Sequence, residues 1–105
     1  MSETVQIRWT ADTILDYLHD HADELRSMGV VKIGLFGSTV RGHQTPESDL
    51  DFLLTIEQWT WKRWCRVWNY LEDSFGMKID LVPESDLRPE LQPYVLSEVR
   101  YAQIG

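Results

Sequence analysis

Two kinds of hydrophobic pattern alternate along this chain of 105 residues, and their order is the strongest constraint on its fold. Apolar residues recur at steps of three and four over residues 11–28 and 57–75, which predicts two amphipathic helices. Short, largely apolar runs at residues 30–36, 49–56 and 77–82 predict buried strands. A closing helix is predicted over residues 91–101. This order predicts an α/β fold in which helices flank one small mixed sheet.

Residues that favour element ends support this division. Thr10 is a candidate N-cap for the first helix, and Gly29 and Gly76 are positioned to end the two long helices. A short helical turn is predicted over residues 39–41, directly after the first strand. Residues 42–48 have the polar, proline-containing composition of a loop.

Composition and charge exclude several classes of protein. Ten Lys and Arg against 17 Asp and Glu give a formal charge of −7, which argues against binding nucleic acid through its phosphates. Residues 2–10 lack the apolar core of a signal peptide, and the lone Cys65 cannot form an internal disulfide. No apolar run approaches the roughly 20 residues that cross a bilayer. We therefore expect one soluble, cytoplasmic domain over residues 1–105.

Two acids interrupt the second predicted strand. Side chains two apart in a strand share a face, so Asp49 and Asp51 should project together while Leu50 faces the opposite way. Two neighbouring carboxylates repel each other, and hard cations with oxygen ligands compensate such a pair. Asp80 adds a third carboxylate in the third strand, where a solvent-facing salt bridge is the alternative interpretation. Three carboxylates can hold two Mg²⁺ ions, an arrangement that serves phosphoryl-type transfer.

The turn at Gly37 and Ser38 has features that suit a phosphate group. Gly37 has no Cβ and lets the backbone approach a ligand closely, and Ser38 adds a hydroxyl beside the N–H groups of a helical turn. Arg41 could clamp a phosphate oxygen, although an arginine at a loop entrance is often only a surface residue. Each motif alone is usually a plain turn or a solvated acid pair. Together they predict a metal and nucleotide site.

The chain resembles the polymerase-beta-like nucleotidyltransferase superfamily in two motifs and in their spacing. The first motif is GLFGSTVRG at residues 34–42, and the second is SDLDFLL at residues 48–54. Ten residues separate Ser38 from Asp49. The resemblance implies the fold of that superfamily.

Within the superfamily, the chain is similar to the minimal nucleotidyltransferases, commonly the antitoxin partners of HEPN-domain toxins in prokaryotes. The similarity lies in the short length and in the segment KIDLV at residues 78–82, and the resemblance covers roughly residues 30–82. Val40 departs from the small residue that usually precedes the arginine. A larger side chain there crowds the turn but removes no ligand.

The resemblance implies Mg²⁺-dependent use of ATP and a role for each candidate residue. Asp49 and Asp51 would bind metal, and Asp80 would bind the catalytic metal and help to deprotonate the acceptor. Gly37 and Ser38 would contact phosphate. In the antitoxin subgroup the acceptor is a tyrosine of the cognate toxin, which adenylylation silences. ATP and a HEPN-domain toxin are therefore the expected partners.

Two other functions stay open at this stage. The chain could transfer a nucleotide to a small-molecule hydroxyl such as that of an aminoglycoside, but such enzymes usually have an additional domain that binds the acceptor. It could instead neutralise its partner by covering it, with acids that no longer act in catalysis.

Tryptophan is concentrated at the second long helix. Four of the five tryptophans lie within residues 59–68, and we expect most of them to be core, with Trp59 available for a partner surface. The helical spacing predicts one buried stripe, composed of Trp61, Trp64, Trp68, Leu71 and Phe75.

The remaining candidate residues have ordinary structural interpretations. His43 lies in the predicted loop and is expected to be an exposed histidine, with a phosphate contact as the alternative. Cys65 is expected to be a small core residue, because no activating neighbour is evident. Lys62, Arg63 and Arg66 are expected to form the solvated face of their helix.

Overall fold

The computed structural model describes residues 9–42 and 49–104 of the chain. The helices are α1 (Ala11–Asp20), α2 (Ala22–Ser27), α3 (Ser38–Arg41), α4 (Trp61–Phe75) and α5 (Gln92–Glu98). The strands are β1 (Val30–Phe36), β2 (Leu50–Ile56), β3 (Ile79–Pro83) and β4 (Arg100–Tyr101). They form one sheet in the order β3-β2-β1-β4, in which β1 is antiparallel to β2 and β4 while β2 and β3 are parallel. The predicted α/β fold with a small mixed sheet is confirmed.

One face of the sheet packs against α1, α2 and α4 to form the main core. Alternate residues of the two central strands point into it: Ile33 and Leu35 from β1, and Leu50, Phe52 and Leu54 from β2. All of these side chains are at most 1% exposed. The alternation of buried positions fixes which face the intervening residues occupy.

The opposite face carries a smaller apolar cluster that α5 covers. Leu53, Leu87 and Val95 are its buried members, and Phe36, Val82 and Val99 pack against them. The cluster lies beside the end of β1. It does not cover the first residues of β2 and β3 on that face, and polar side chains occupy these positions.

The first predicted helix is in fact two helices, so the prediction of one uninterrupted helix is wrong. Thr10 caps α1 as predicted, since its hydroxyl accepts a hydrogen bond from the Thr13 N–H at 3.2 Å. α1 ends at His21, and α2 follows at once. The His21 ring stacks on Tyr17 at 3.9 Å between centroids, and its Nδ1 hydrogen-bonds the Tyr17 carbonyl at 2.8 Å. This local side-chain contact with the backbone competes with a regular helical turn.

The last predicted helix ends earlier than expected and is followed by a strand. α5 ends at Glu98, Val99 is extended, and β4 pairs with the free edge of β1 beside Gly34 and Leu35. A Cβ on Gly34 would meet the side chains of Val99 and Tyr101, so the close approach of this segment requires glycine. The pairing satisfies hydrogen-bonding groups at the edge of β1 that a longer helix would leave open.

The helix α4 begins at Trp61 with Thr60 as its N-cap, four residues later than predicted. Its buried face consists of Trp64, Val67, Leu71 and Phe75. The prediction that Trp61 is buried is wrong, because it is 66% exposed and lies beside Trp59, itself 51% exposed. At its first turn the apolar stripe meets another tryptophan instead of the core.

No helix in residues 9–42 and 49–104 is long and apolar enough to cross a membrane.

Two of the three tryptophans of α4 allow a matched test of this packing. Replacing Trp64, which is 3% exposed, with alanine should lower the free energy of unfolding by about 3–5 kcal/mol, because a buried aromatic leaves a cavity. The same change at Trp61 should lower it by less than about 1 kcal/mol. Urea unfolding followed by circular dichroism gives both values. Similar losses at the two positions would contradict this assignment of the buried face.

Candidate active site

The three predicted acids lie on the face of the sheet opposite the main core. Leu50 and Phe52 are buried in that core, so Asp51 between them faces the other side. Asp51 is in register with Asp80 across the parallel strands β2 and β3, which in sheets lie about 4.8 Å apart. Asp49 immediately precedes β2, and its charge acts on Asp51, as does that of Asp80. The structure therefore brings the three carboxylates together.

The turn at Gly37 lies directly against this group of acids. Phe36, the last residue of β1, is paired with Asp51, which places the turn at the same end of the sheet. Gly37 has a φ of 88°, and a Cβ at this position would overlap the Asp51 carboxylate. Ser38 begins α3 immediately afterwards. The turn and the acids are thus adjacent, although at least ten residues separate them in sequence.

Burial and neighbouring carboxylates both disfavour the charged form of Asp51. Burial raises its pKa from the ordinary value of 3.8 to about 6, and the neighbouring charges of Asp80 and Asp49 act in the same direction. Arg41 lowers the pKa, while Glu98 raises it. The negative charge at this end of the sheet is therefore only partly compensated by the protein itself, and the site favours a proton or a cation.

The donor set fits Mg²⁺ bound jointly with a nucleotide. Within the described residues, no group of three or more Asp, Glu, His or Cys side chains has the geometry to hold a metal ion alone. Mg²⁺, however, is usually held by one or two carboxylates together with substrate phosphates and water. Asp49 and Asp51 could supply such a pair of hard oxygen ligands, and the burial and acidic neighbours that raise the pKa of Asp51 favour positive charge beside it.

Arg41 contacts a carboxylate that the sequence did not single out. Its Nη1 donates to Oε1 and Oε2 of Glu98 at 2.9 and 3.1 Å. The backbone N–H of Gly37 also donates to Glu98 Oε2, at 2.8 Å. Glu98 lies 61 residues beyond Gly37, in a helix with no motif of its own, so no local pattern could have identified it. The turn, Arg41 and the acids share one site with this additional acid.

The other candidate residues lie away from this chemistry or outside the described residues. His43 and the remainder of the predicted loop, residues 43–48, are among the positions that the structure does not describe. Cys65 is half-buried instead of fully in the core. Lys62 and Arg66 are exposed as predicted, whereas Arg63 is half-buried and donates to a backbone carbonyl before α4 at 3.0 Å.

Comparison with known proteins identifies the family. The model of the nucleotidyltransferase domain matches residues 18–102. The chain is 38% identical over 94 residues to the protein adenylyltransferase MntA of Thermococcus cleftensis, covering 88% of this chain and 95% of that protein. The chain belongs to the nucleotidyltransferase domain family, as the sequence motifs predicted.

Solved structures agree with this assignment. A candidate minimal nucleotidyltransferase superimposes with a TM-score of 0.74 at 30% identity, covering 89% of this chain and 96% of that one. A chain from a toxin–antitoxin complex with AMP-PNP shares the fold, with a TM-score of 0.64 at 21% identity, and covers 79% and 69% of the two chains. The minimal nucleotidyltransferase fold expected from the sequence is therefore confirmed.

Two glycines allow a test of the contact between the turn and Asp51. Gly37 and Gly42 both have positive φ. A Cβ at Gly37 would meet Asp51, whereas none of the described residues, apart from its chain neighbours, lies within 4 Å of a Cβ at Gly42. Gly37→Ala should prevent nucleotide binding, because Asp51 must move. Gly42→Ala should reduce stability by about 1 kcal/mol through backbone strain and leave binding intact. Isothermal titration with ATP and Mg²⁺ measures the difference, and equal binding by both variants would argue against the contact.

Asp51→Asn should stabilise the metal-free protein at neutral pH. The folded-state pKa of about 6 exceeds the ordinary 3.8, so the folded state holds the proton more tightly and loses stability as pH rises between these values. The variant removes this loss. We expect a gain of about 1 kcal/mol at pH 7, after allowance for solvent screening, or about 4–8 °C in Tm.

The gain should shrink as the pH falls below the folded-state pKa of about 6 and should approach zero well below 3.8, where Asp51 is protonated in both the folded and unfolded states. Thermal unfolding of both proteins in chelator-treated buffer across this range measures it. A constant difference at every pH would show that the carboxylate charge is not responsible.

Proposed function

We propose that this chain is a Mg²⁺-dependent protein adenylyltransferase that transfers AMP from ATP to a tyrosine hydroxyl of a cognate HEPN-domain toxin, and so acts as its antitoxin. The adjacency of the three acids to the Gly37 turn carries the proposal. The identity of 38% to the adenylyltransferase MntA supports the choice of AMP and of a protein acceptor. Because ATP is the proposed donor, the cytoplasm is the proposed compartment.

The roles of the residues follow from their positions. Asp49 and Asp51 would hold Mg²⁺ together with the triphosphate, and Gly37 and Ser38 would orient the phosphates through the turn. When bound, the ions would neutralise phosphate charge and promote attack at the α-phosphorus. The tyrosine oxygen forms the new bond to that phosphorus, the bond to the bridging oxygen breaks, and pyrophosphate leaves. Asp80 would accept the phenolic proton.

The openness of the site favours a macromolecular acceptor. Asp80 and Arg41 are both exposed, so the acid-bearing end of the sheet is accessible from solvent. A small-molecule acceptor would need a concave pocket beside the acids. A cavity of about 340 Å³ in the described part of the chain lies elsewhere, with Leu54, Thr55, Ile56, Trp59, Pro83, Ser85 and Asp86 as its lining. None of the three site acids lines this cavity, so the cavity itself does not support transfer to an aminoglycoside-type hydroxyl.

The exposed tryptophans favour a second, non-catalytic contribution. The rings of Trp59 and Trp61 lie 6.1 Å apart, and both side chains are more than half exposed. Aromatic groups of this kind are common in protein interfaces. Neutralisation by covering the toxin is thus the alternative function, and it requires no acid.

A transfer assay separates the two functions. We expect the wild-type chain, incubated with ATP, Mg²⁺ and the product of the neighbouring gene, to increase the intact mass of that partner by one or more AMP units. Asp49→Asn and Asp51→Asn should slow this reaction by roughly a hundredfold or more, because each removes a ligand from the metal site. Asp73→Asn is the matched control, since Asp73 is an exposed acid on α4.

Partner binding must be measured on the same variants. Complex formation retained in Asp49→Asn, with both mass increase and neutralisation lost, would establish catalysis as the cause of neutralisation. Neutralisation retained without transfer would instead favour covering. No mass increase on either protein with the wild-type chain would contradict the proposed activity.

A further inference from the structure

Glu98 occupies the position where the site offers its hydrogen-bond donors to an anion. Its carboxylate accepts the Gly37 N–H at 2.8 Å and Arg41 Nη1 at 2.9 and 3.1 Å. We define these two donors, the Gly37 N–H and the Arg41 guanidinium, as the anion seat. In the nucleotide-free protein the seat is filled by a side chain of the protein itself.

A carboxylate and a phosphate oxygen compete for the same donors. Both are anionic oxygen acceptors that bind a backbone N–H and a guanidinium, and charge-assisted contacts of this kind are among the stronger hydrogen bonds. Glu98 also adds negative charge beside Asp51 and the other acids, which repels an incoming polyanion. A triphosphate that used the seat would therefore have to displace Glu98.

The carboxylate is able to leave. The Glu98 side chain is 21% exposed and the Arg41 side chain 53% exposed, so neither is locked into the core. Glu98 is the last residue of α5, and its three side-chain torsions allow the carboxylate to swing toward solvent without movement of the helix. The core of the smaller apolar cluster, which contains Val95, can stay in place.

We propose that Glu98 is an affinity-determining residue that holds the anion seat closed until the phosphates of ATP displace it. The inference rests on the proposed function, since it requires that ATP bind at the Gly37 turn. The observed association constant for ATP is then the intrinsic association constant multiplied by the fraction of molecules in which Glu98 has left the anion seat. Without the Glu98 carboxylate, the Gly37 N–H and the Arg41 guanidinium are free to bind a phosphate in every molecule.

Binding of ATP with Mg²⁺ to the full chain, measured by isothermal titration, tests this inference. We expect Glu98→Ala to lower the Kd for ATP roughly tenfold, the effect of freeing hydrogen bonds to a charged group. Glu98→Gln keeps the shape and one acceptor oxygen but removes the charge, so its Kd should fall roughly threefold. Glu90→Gln removes one charge near the other end of α5, where Glu90 is exposed, and should leave the Kd unchanged.

Adenosine provides a second measurement that a merely structural effect would not reproduce. It has no phosphate to enter the seat, so its Kd should be the same for the wild type and both Glu98 variants. In addition, Arg41→Ala should weaken ATP binding more in the Glu98→Ala background than in the wild type, because Arg41 is already neutralised in the wild type.

Several outcomes would overturn the inference. Unchanged or weaker ATP binding in both Glu98 variants, with wild-type binding and transfer intact, would make Glu98 a support for the turn and leave the proposed function standing. An equal gain for adenosine would assign the effect to a general change in the fold. Absence of ATP binding to every protein, including the wild type, would reject the inference and the proposed function together.

Discussion

The register of β1, β2 and β3 is the constraint on which the site depends. Asp51 is paired with Phe36 on one side and Asp80 on the other, which places the Gly37 turn and the third acid beside it. A slip of one residue in β2 would turn Asp51 into the main core and Leu50 toward the acids. The buried alternation of Leu50, Phe52 and Leu54 opposes that slip, so packing of the core on one face positions the chemistry on the other.

The carboxylates at this end of the sheet lower the stability of the folded protein, and they suit a site that binds cations. Three carboxylates share a partly buried region, and burial, together with the charges of Asp80 and Asp49, raises the pKa of Asp51. Arg41 could compensate it more fully, but its guanidinium is shared with Glu98. If the site acts as proposed, cations and phosphate that arrive together would offset this repulsion between the carboxylates.

Most of the secondary structure followed from local patterns, and three features did not. The strands β1 to β3, the cap at Thr10 and the turn after Phe36 were all predicted, because period and capping chemistry are local. The break at His21, the strand β4 and the exposure of Trp61 were not. The last two depend on what the segment meets in three dimensions: the open edge of β1, or a neighbouring tryptophan in place of the core. The break at His21 accompanies a local contact with Tyr17 that the spacing of apolar residues does not encode.

The sequence by itself identified the residues that we propose for the chemistry, because alternation in a strand puts Asp49 and Asp51 on one face and a glycine after a strand makes a close turn. The family assignment from these motifs was correct. Only the tertiary structure brought Asp80 into register with Asp51 and delivered Glu98 to the Gly37 N–H across 61 residues. Contacts at such separations are set by how the sheet and α5 pack, and no local periodicity encodes them.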